Sequence, residues 1–142
     1  MEKILVSACL LGISCRYDGK SKPNEDVIAL KNKYELIPVC AETLGGLPTP
    51  RIGAEIVGDR VLRADGIDVT AQYHKGAGEV LKIAKEKGCK IAILKSKSPS
   101  CGKNKVYDGT FTRTLTNKNG ILADLLMSNG ISVFDETEID RL

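Results

Sequence analysis

The feature that most constrains this chain is the alternation of short apolar runs with amphipathic segments. Lys3-Ile4-Leu5-Val6-Ser7-Ala8, Glu35-Leu36-Ile37-Pro38-Val39, Lys90-Ile91-Ala92-Ile93-Leu94 and Ile131-Ser132-Val133-Phe134 each have the length and composition of a buried strand. The segments between them carry helical periodicity and helix punctuation. Pro23-Asn24-Glu25-Asp26 opens the first helix, which buries Val27, Ile28 and Leu30. Its acids at the start and Lys31 and Lys33 at the end complement the helix dipole. Asp68 or Thr70 is expected to cap a second helix running to about Lys87, stopped by Gly88, with Val80, Leu81, Ile83 and Ala84 as its core face. Gly76 and Gly78 within it are expected to allow close packing on the sheet. Asn119 to Met127 forms the third helix, closed by Gly130. Strands separated by helices demand crossover connections, hence a parallel sheet with right-handed crossovers. The expected fold is therefore α/β: a three-layer Rossmann-like domain with a four-stranded parallel sheet in the order 2-1-3-4. A small β-hairpin, Glu55-Ile56-Val57 and Arg60-Val61-Leu62 joined by Gly58-Asp59, is added to it. Pro38 has no N–H and belongs on an edge strand. Leu44-Gly45-Gly46-Leu47-Pro48-Thr49-Pro50-Arg51 is too rich in Gly and Pro for a helix and is expected to form a fixed irregular loop.

With 142 residues the chain is expected to form one domain, 1–142. No apolar run approaches a membrane span, and Met1-Glu2-Lys3-Ile4 does not read as a signal peptide, so a soluble, cytoplasmic protein with no membrane partner is expected. Twenty-one basic and 18 acidic residues leave a net charge of only +3, and the chain has two Phe, four Tyr and no Trp. Neither a basic stripe nor an abundance of stacking platforms is present, which argues against nucleic acid as a partner. The five cysteines are an odd number and do not read as a disulfide framework in a reducing compartment.

The positions of those cysteines carry the functional argument. Cys9 follows the first strand directly, Cys40 follows the second, and Cys101 lies seven residues beyond Leu94 at the end of the third. In a parallel sheet all strand C-termini share one edge, and ligands bind in the crevice above it. Three cysteines distant in sequence are thereby expected at one place, whereas thiols that merely pack would lie inside strands. Cys89 precedes its strand and is assigned to the opposite edge with a structural role. Cys15, in the loop after Cys9, can reach the same crevice. Three ligands leave an open coordination position and four close it, and the residues alone leave both open. No C-x-x-C pair occurs, which argues against zinc ribbons, ferredoxins and thioredoxin-like motifs. His74 is the single histidine and lies on the second helix, so a Cys–His catalytic pair is not expected. Glu42, two residues after Cys40, is a candidate proton carrier. Lys95, Lys97, Lys103 and Lys105 surround Ser98 and Cys101 in sequence and are expected to favour thiolate and offset the charge of a thiolate-bound centre.

Five segments taken together resemble the thiouracil desulfurase family. They are Cys9-Leu10-Leu11-Gly12, Cys15-Arg16-Tyr17-Asp18-Gly19, Pro38-Val39-Cys40 with Glu42, Leu44 to Arg51, and Ser98-Pro99-Ser100-Cys101-Gly102. The resemblance implies a [4Fe–4S] cluster held by Cys9, Cys40 and Cys101, with one iron not ligated by protein and free to take sulfur from a thiolated pyrimidine. It implies assistance by Glu42 and Ser98, and non-redox desulfuration of a small-molecule thiopyrimidine such as 2-thiouracil to uracil and sulfide. Ala41 stands where the family pattern has Pro between the Cys and the Glu, and is expected to loosen that φ and shift Glu42 slightly. Two alternatives accompany this reading. One keeps the cluster and desulfurates another small thiocarbonyl compound; the other is a zinc- or cluster-stabilised binding module without catalysis, using Cys9, Cys15, Cys40 and Cys101.

Overall fold

A computed structural model describes residues 1–142. In chain order its first half contains β1 (Glu2–Ser7), α1 (Glu25–Ala29), β2 (Tyr34–Val39), α2 (Ala41–Leu44), β3 (Ala54–Val57) and β4 (Arg60–Arg63). Then come α3 (Thr70–Lys87), β5 (Ile91–Leu94), β6 (Val106–Tyr107), β7 (Leu115–Thr116), α4 (Ile121–Ser128) and β8 (Ser132–Asp135). Short 3-10 turns at Ala8–Leu11, Leu30–Asn32 and Ile139–Arg141 follow β1, α1 and β8.

Strands β1, β2, β5 and β8 pair in parallel in the order β2-β1-β5-β8, which is 2-1-3-4 when only these four are counted. Strand β1 is central, and every side chain from Ile4 to Ser7 is buried because both faces of the sheet are covered. Ile4, Val6 and Ile93 pack with Leu10 and with Val27 of α1. Leu5, Ala92, Leu94 and Val133 point the other way, onto Val80 and Ala84 of α3 and Leu122, Ala123 and Leu126 of α4. The period-two pleat produces this division. Each large aliphatic side chain so buried contributes about 1.5–3 kcal/mol of transfer free energy. Pro38 lies on the edge strand β2, where a missing N–H is tolerated.

The local signals act largely as the sequence suggests. Asn24 caps α1, its side-chain oxygen accepting the Val27 N–H at 3.0 Å. At α3 the capping position is held by Val69, and its two neighbours divide the work. The Asp68 carboxylate accepts the Thr70 N–H at 2.8 Å, and the Thr70 hydroxyl accepts the Val61 N–H at 2.8 Å, tying the helix start to β4. Gly88 ends the helix in the left-handed conformation, at φ +70°. In the hairpin β3–β4 only the first central residue, Gly58, has positive φ (+64°), the pattern of a type II′ turn.

Three expectations need correction. Gly76 does not pack on the sheet: a Cβ there would overlap the Ala41 carbonyl oxygen, and one at Gly45 would overlap the Gln72 carbonyl oxygen, so these glycines let α2 press on α3. Gly78 is exposed with open space around it. The irregular loop expected from Leu44 begins one residue later, because Leu44 closes the one-turn helix α2, a helix held by this contact rather than by propensity. The long connection after β5 also contains the two-residue strands β6 and β7, too short to show a period in the sequence. No helix is long and apolar enough to cross a membrane.

Candidate active site

The carboxyl ends of β1, β2 and β5 open into a cavity of about 400 Å³ whose lining includes Cys9, Cys15, Cys40, Glu42, Ser98 and Cys101. Cys9 sits in the 3-10 turn after β1, Cys40 at the start of α2, and Cys101 in the loop after β5. Cys89 packs into the core beneath α3 and α4 and does not line the cavity. All five cysteines are free thiols.

Around Cys101 the ends of two neighbouring strands are stitched together. The Ser7 hydroxyl donates to the Cys101 sulfur at 3.5 Å and accepts the Lys95 N–H at 2.9 Å. The Ser98 hydroxyl oxygen accepts the Cys101 N–H at 2.7 Å, which fixes the loop and leaves the Ser98 proton free for donation. Burial pushes the Cys101 thiol up to about 12, against the hydrogen bond from Ser7 that pulls it down. Cys40 is raised as well, first by its hydrogen bond with Cys15 and then by burial. Cys15 lies between two cysteines. Its contact with Cys40 lowers its pKa, but contact with Cys9 together with burial outweighs this.

Two of the four lysines are engaged by acids. Lys95 pairs with Glu136 at 2.8 Å and Lys103 with Glu138 at 3.1 Å, so acids just after β8 take up their charge. Lys95 and Lys97 line the cavity, yet Cys101 is raised rather than lowered, with burial as the largest cause.

Glu42 occupies the first turn of α2 and is held at one oxygen only. Its Oε1 accepts the Tyr73 hydroxyl at 2.8 Å and Arg51 Nε at 3.2 Å, while Oε2 accepts from no protein group. Tyr73, 2% exposed, is a committed donor because burial and the adjacent carboxylate drive its ionisation far upward. Arg51 also reaches the carbonyl oxygens of Cys15 and Pro48, both at 3.0 Å, so one guanidinium joins the cysteine loop to the carboxylate. Ala41 occupies the first helical position, where Pro is also favoured. Glu42 is therefore placed by helix α2 and its two partners.

Sequence reading singled out Cys9, Cys40, Cys101, Glu42, Ser98 and the uncertain Cys15, and all of them line this cavity. It missed Ser7, Arg51 and Tyr73 as functional groups. Ser7 carried a signal, being a polar residue inside a buried apolar run; a tyrosine on a helix face carried none.

The donor set is soft, all thiol, with no histidine at hand, and suits iron–sulfur or zinc chemistry. No three Cys, His, Asp or Glu groups converge on a single point as a mononuclear centre requires. In a cubane each cysteine takes a different iron, so its ligands need not converge, and three thiols at separate strand ends fit it. A family model for 2-thiouracil desulfurase matches residues 4–138. The chain belongs to this family. A solved structure of a [4Fe–4S]-dependent thiouracil desulfidase, TudS, superposes with a TM-score of 0.95 at 42% identity, covering 100% of this chain and 95% of that one. YbbK of Bacillus subtilis (strain 168), described as an uncharacterized protein, is 40% identical over 149 residues, 98% of this chain and 99% of its own length.

Proposed function

We propose that this chain hydrolyses the C–S bond of a thiolated pyrimidine such as 2-thiouracil, giving uracil and sulfide, with a [4Fe–4S] cluster bound by Cys9, Cys40 and Cys101. The observation that carries this reading is the cavity itself: cysteines from three strand exits share it with a carboxylate that has one oxygen anchored and one free. When bound, a cluster with one iron free of protein ligands would supply a soft Lewis acid for the thiocarbonyl sulfur. Cysteine binds such a cluster as thiolate, so loading it would release protons.

The chain's own residues supply the rest. Arg51 and Tyr73 hold Oε1 of Glu42, which leaves Oε2 without a protein partner and able to take a proton from the attacking water and return it. The water oxygen ends on the ring carbon and the sulfur leaves as sulfide, with no net electron transfer. Ser98, whose acceptor side is occupied by the Cys101 N–H, has its hydroxyl proton available for the ring or the developing anion. Five unpaired thiols suit a reducing compartment, and we place the protein in the cytoplasm.

The test is anaerobic reconstitution with iron and sulfide, followed by incubation with 2-thiouracil. Broad absorption near about 400 nm from thiolate-to-iron charge transfer, loss of the thiocarbonyl absorbance and release of sulfide are expected. A fully loaded cluster that turns over no thiopyrimidine would defeat the substrate assignment. A colourless zinc protein would defeat the cluster.

A further inference from the structure

The loop joining β6 to β7 forms part of the cavity wall through Phe111 and Arg113, and the chemistry above makes no use of it. Its backbone is unusual. Gly109, Phe111 and Arg113 have φ of +91°, +59° and +60°, and the threonines between them do not share that sign. Residues with a Cβ seldom enter this region, so two of them in one short loop need an external hold. Such alternation turns successive N–H groups toward one side and makes a concavity that binds anions.

The anion here belongs to the protein. Glu55 Oε1 accepts the Gly109 N–H at 3.0 Å and the Phe111 N–H at 3.1 Å. Glu55 is 8% exposed although it stands on the hairpin strand β3, and its partners are these two amides rather than a cation. The loop and β3 also meet backbone to backbone, since a Cβ on Gly109 would lie 2.6 Å from the Ile56 carbonyl oxygen. What the clamp presents is aromatic. Four of the chain's six Phe and Tyr residues, Tyr17, Tyr73, Tyr107 and Phe111, line this one cavity. Arg113 lies over the Tyr107 ring at 5.9 Å, and Phe111 is left 40% exposed. An exposed ring on a strained, clamped loop at the edge of a cavity is arranged to meet a ligand rather than to fill a core.

We propose that Glu55 is a positioning residue for substrate recognition, clamping the loop so that the Phe111 ring covers one face of the planar thiolated heterocycle. This rests on the desulfurase reading and names a part of the site that sets affinity rather than the rate of bond cleavage. Glu55 touches no reacting atom and acts through Phe111.

The experiment compares reconstituted wild type with Glu55→Ala, Glu55→Gln, Phe111→Ala and the Glu55→Ala/Phe111→Ala double variant. Backbone amide exchange is read over residues 108–114, steady-state kinetics with 2-thiouracil, and uracil affinity by calorimetry. Glu55→Ala is expected to speed exchange at Gly109 and Phe111 and to raise KM about tenfold, the scale of one lost base–aromatic stack, with kcat within about twofold. Glu55→Gln keeps a carbonyl oxygen for both amides and is expected to stay near wild type in both readouts. Phe111→Ala is expected to raise KM equally without speeding exchange at Gly109, and the double variant to be no worse than the worse single. Unchanged exchange in Glu55→Ala overturns the clamp. Faster exchange with unchanged KM and unchanged uracil affinity overturns the recognition role, as do losses that multiply in the double variant. A wild type that turns over no thiouracil, yet binds uracil about tenfold more tightly than Glu55→Ala does, keeps the aromatic wall and discards only the reaction.

Discussion

Cys9 and Cys89 are equally exposed, at 6% each, and sit at opposite edges of the same sheet. Both pack into buried apolar clusters, and the difference lies in the polar groups around them. At the amino-terminal edge Cys89 follows the glycine that ends α3, its N–H returns to the Ala84 carbonyl, and its side chain joins the apolar cluster of α3 and α4. No second thiol and no anchored carboxylate stand beside it. At the carboxyl-terminal edge Cys9 shares a cavity with three further cysteines, with Glu42 held by Arg51 and Tyr73, and with Ser98. Burial alone therefore does not tell these two thiols apart. The separation comes from strand direction, which collects the loops after β1, β2 and β5 at one edge and sends the residue before β5 to the other.

The strongest way to break this contrast is to remove each thiol in turn. Cys9→Ser is expected to lose most of the iron, normally about four atoms per chain for a single cubane, and with it all desulfuration. Cys89→Ser is expected to retain both. Iron content and thiouracil turnover measured on the two variants side by side decide the matter, and equal behaviour in either direction would erase the distinction.

Glu42→Gln tests the acid–base half of the same edge. Gln preserves size and accepts the Tyr73 hydroxyl but carries no proton, so turnover should fall by about 10² or more while the cluster spectrum is unchanged. Wild-type turnover in this variant would pass the role to solvent.

The contact that places Glu42 can be probed through stability. Gly76→Ala drives a methyl group into the Ala41 carbonyl and should destabilise the fold by about 1–3 kcal/mol, despite the better helix propensity of Ala. Gly78→Ala, two residues along the same helix and facing solvent, should stabilise by about 0.5–1 kcal/mol. Chemical denaturation midpoints read both signs, and a stabilised Gly76→Ala would mean that α2 is free to move away from α3.

Tyr73→Phe deletes the donor to Oε1 and leaves the ring in place. Hydrogen bonds to charged groups contribute about 1.5–3 kcal/mol, but Arg51 remains, so a loss of about tenfold in turnover with full iron content is expected. Cys15→Ser is likewise expected to leave the iron in place. If three thiols hold the cluster, Cys15→Ser keeps about four irons per chain. Loss of iron from this variant alone would make Cys15 a ligand and close the open coordination position that the proposed chemistry needs.

Much of this was legible from residue order. Hydrophobic periodicity and end signals such as Asn24 and Gly88 are local physics, and local physics is what a sequence displays. Strand direction then converted Cys9, Cys40 and Cys101 into neighbours without coordinates. What stayed hidden depends on groups far apart in the chain. The Tyr73 hydroxyl meets Glu42 across 31 positions, Ser7 meets Cys101 across 94, and Glu55 meets the Gly109 amide across 54. Nothing in the immediate sequence of any of these residues encodes its partner. The lysine loop misled for the same reason: its charges read as available until Glu136 and Glu138, brought up by the last strand, took two of them. The sequence by itself determined which segments are strands and helices, and which sheet edge receives the cysteines, because those follow from backbone periodicity and chirality. Which polar groups face one another across that edge was decided only when the chain closed, because a hydrogen bond depends on distance in space rather than on separation along the chain.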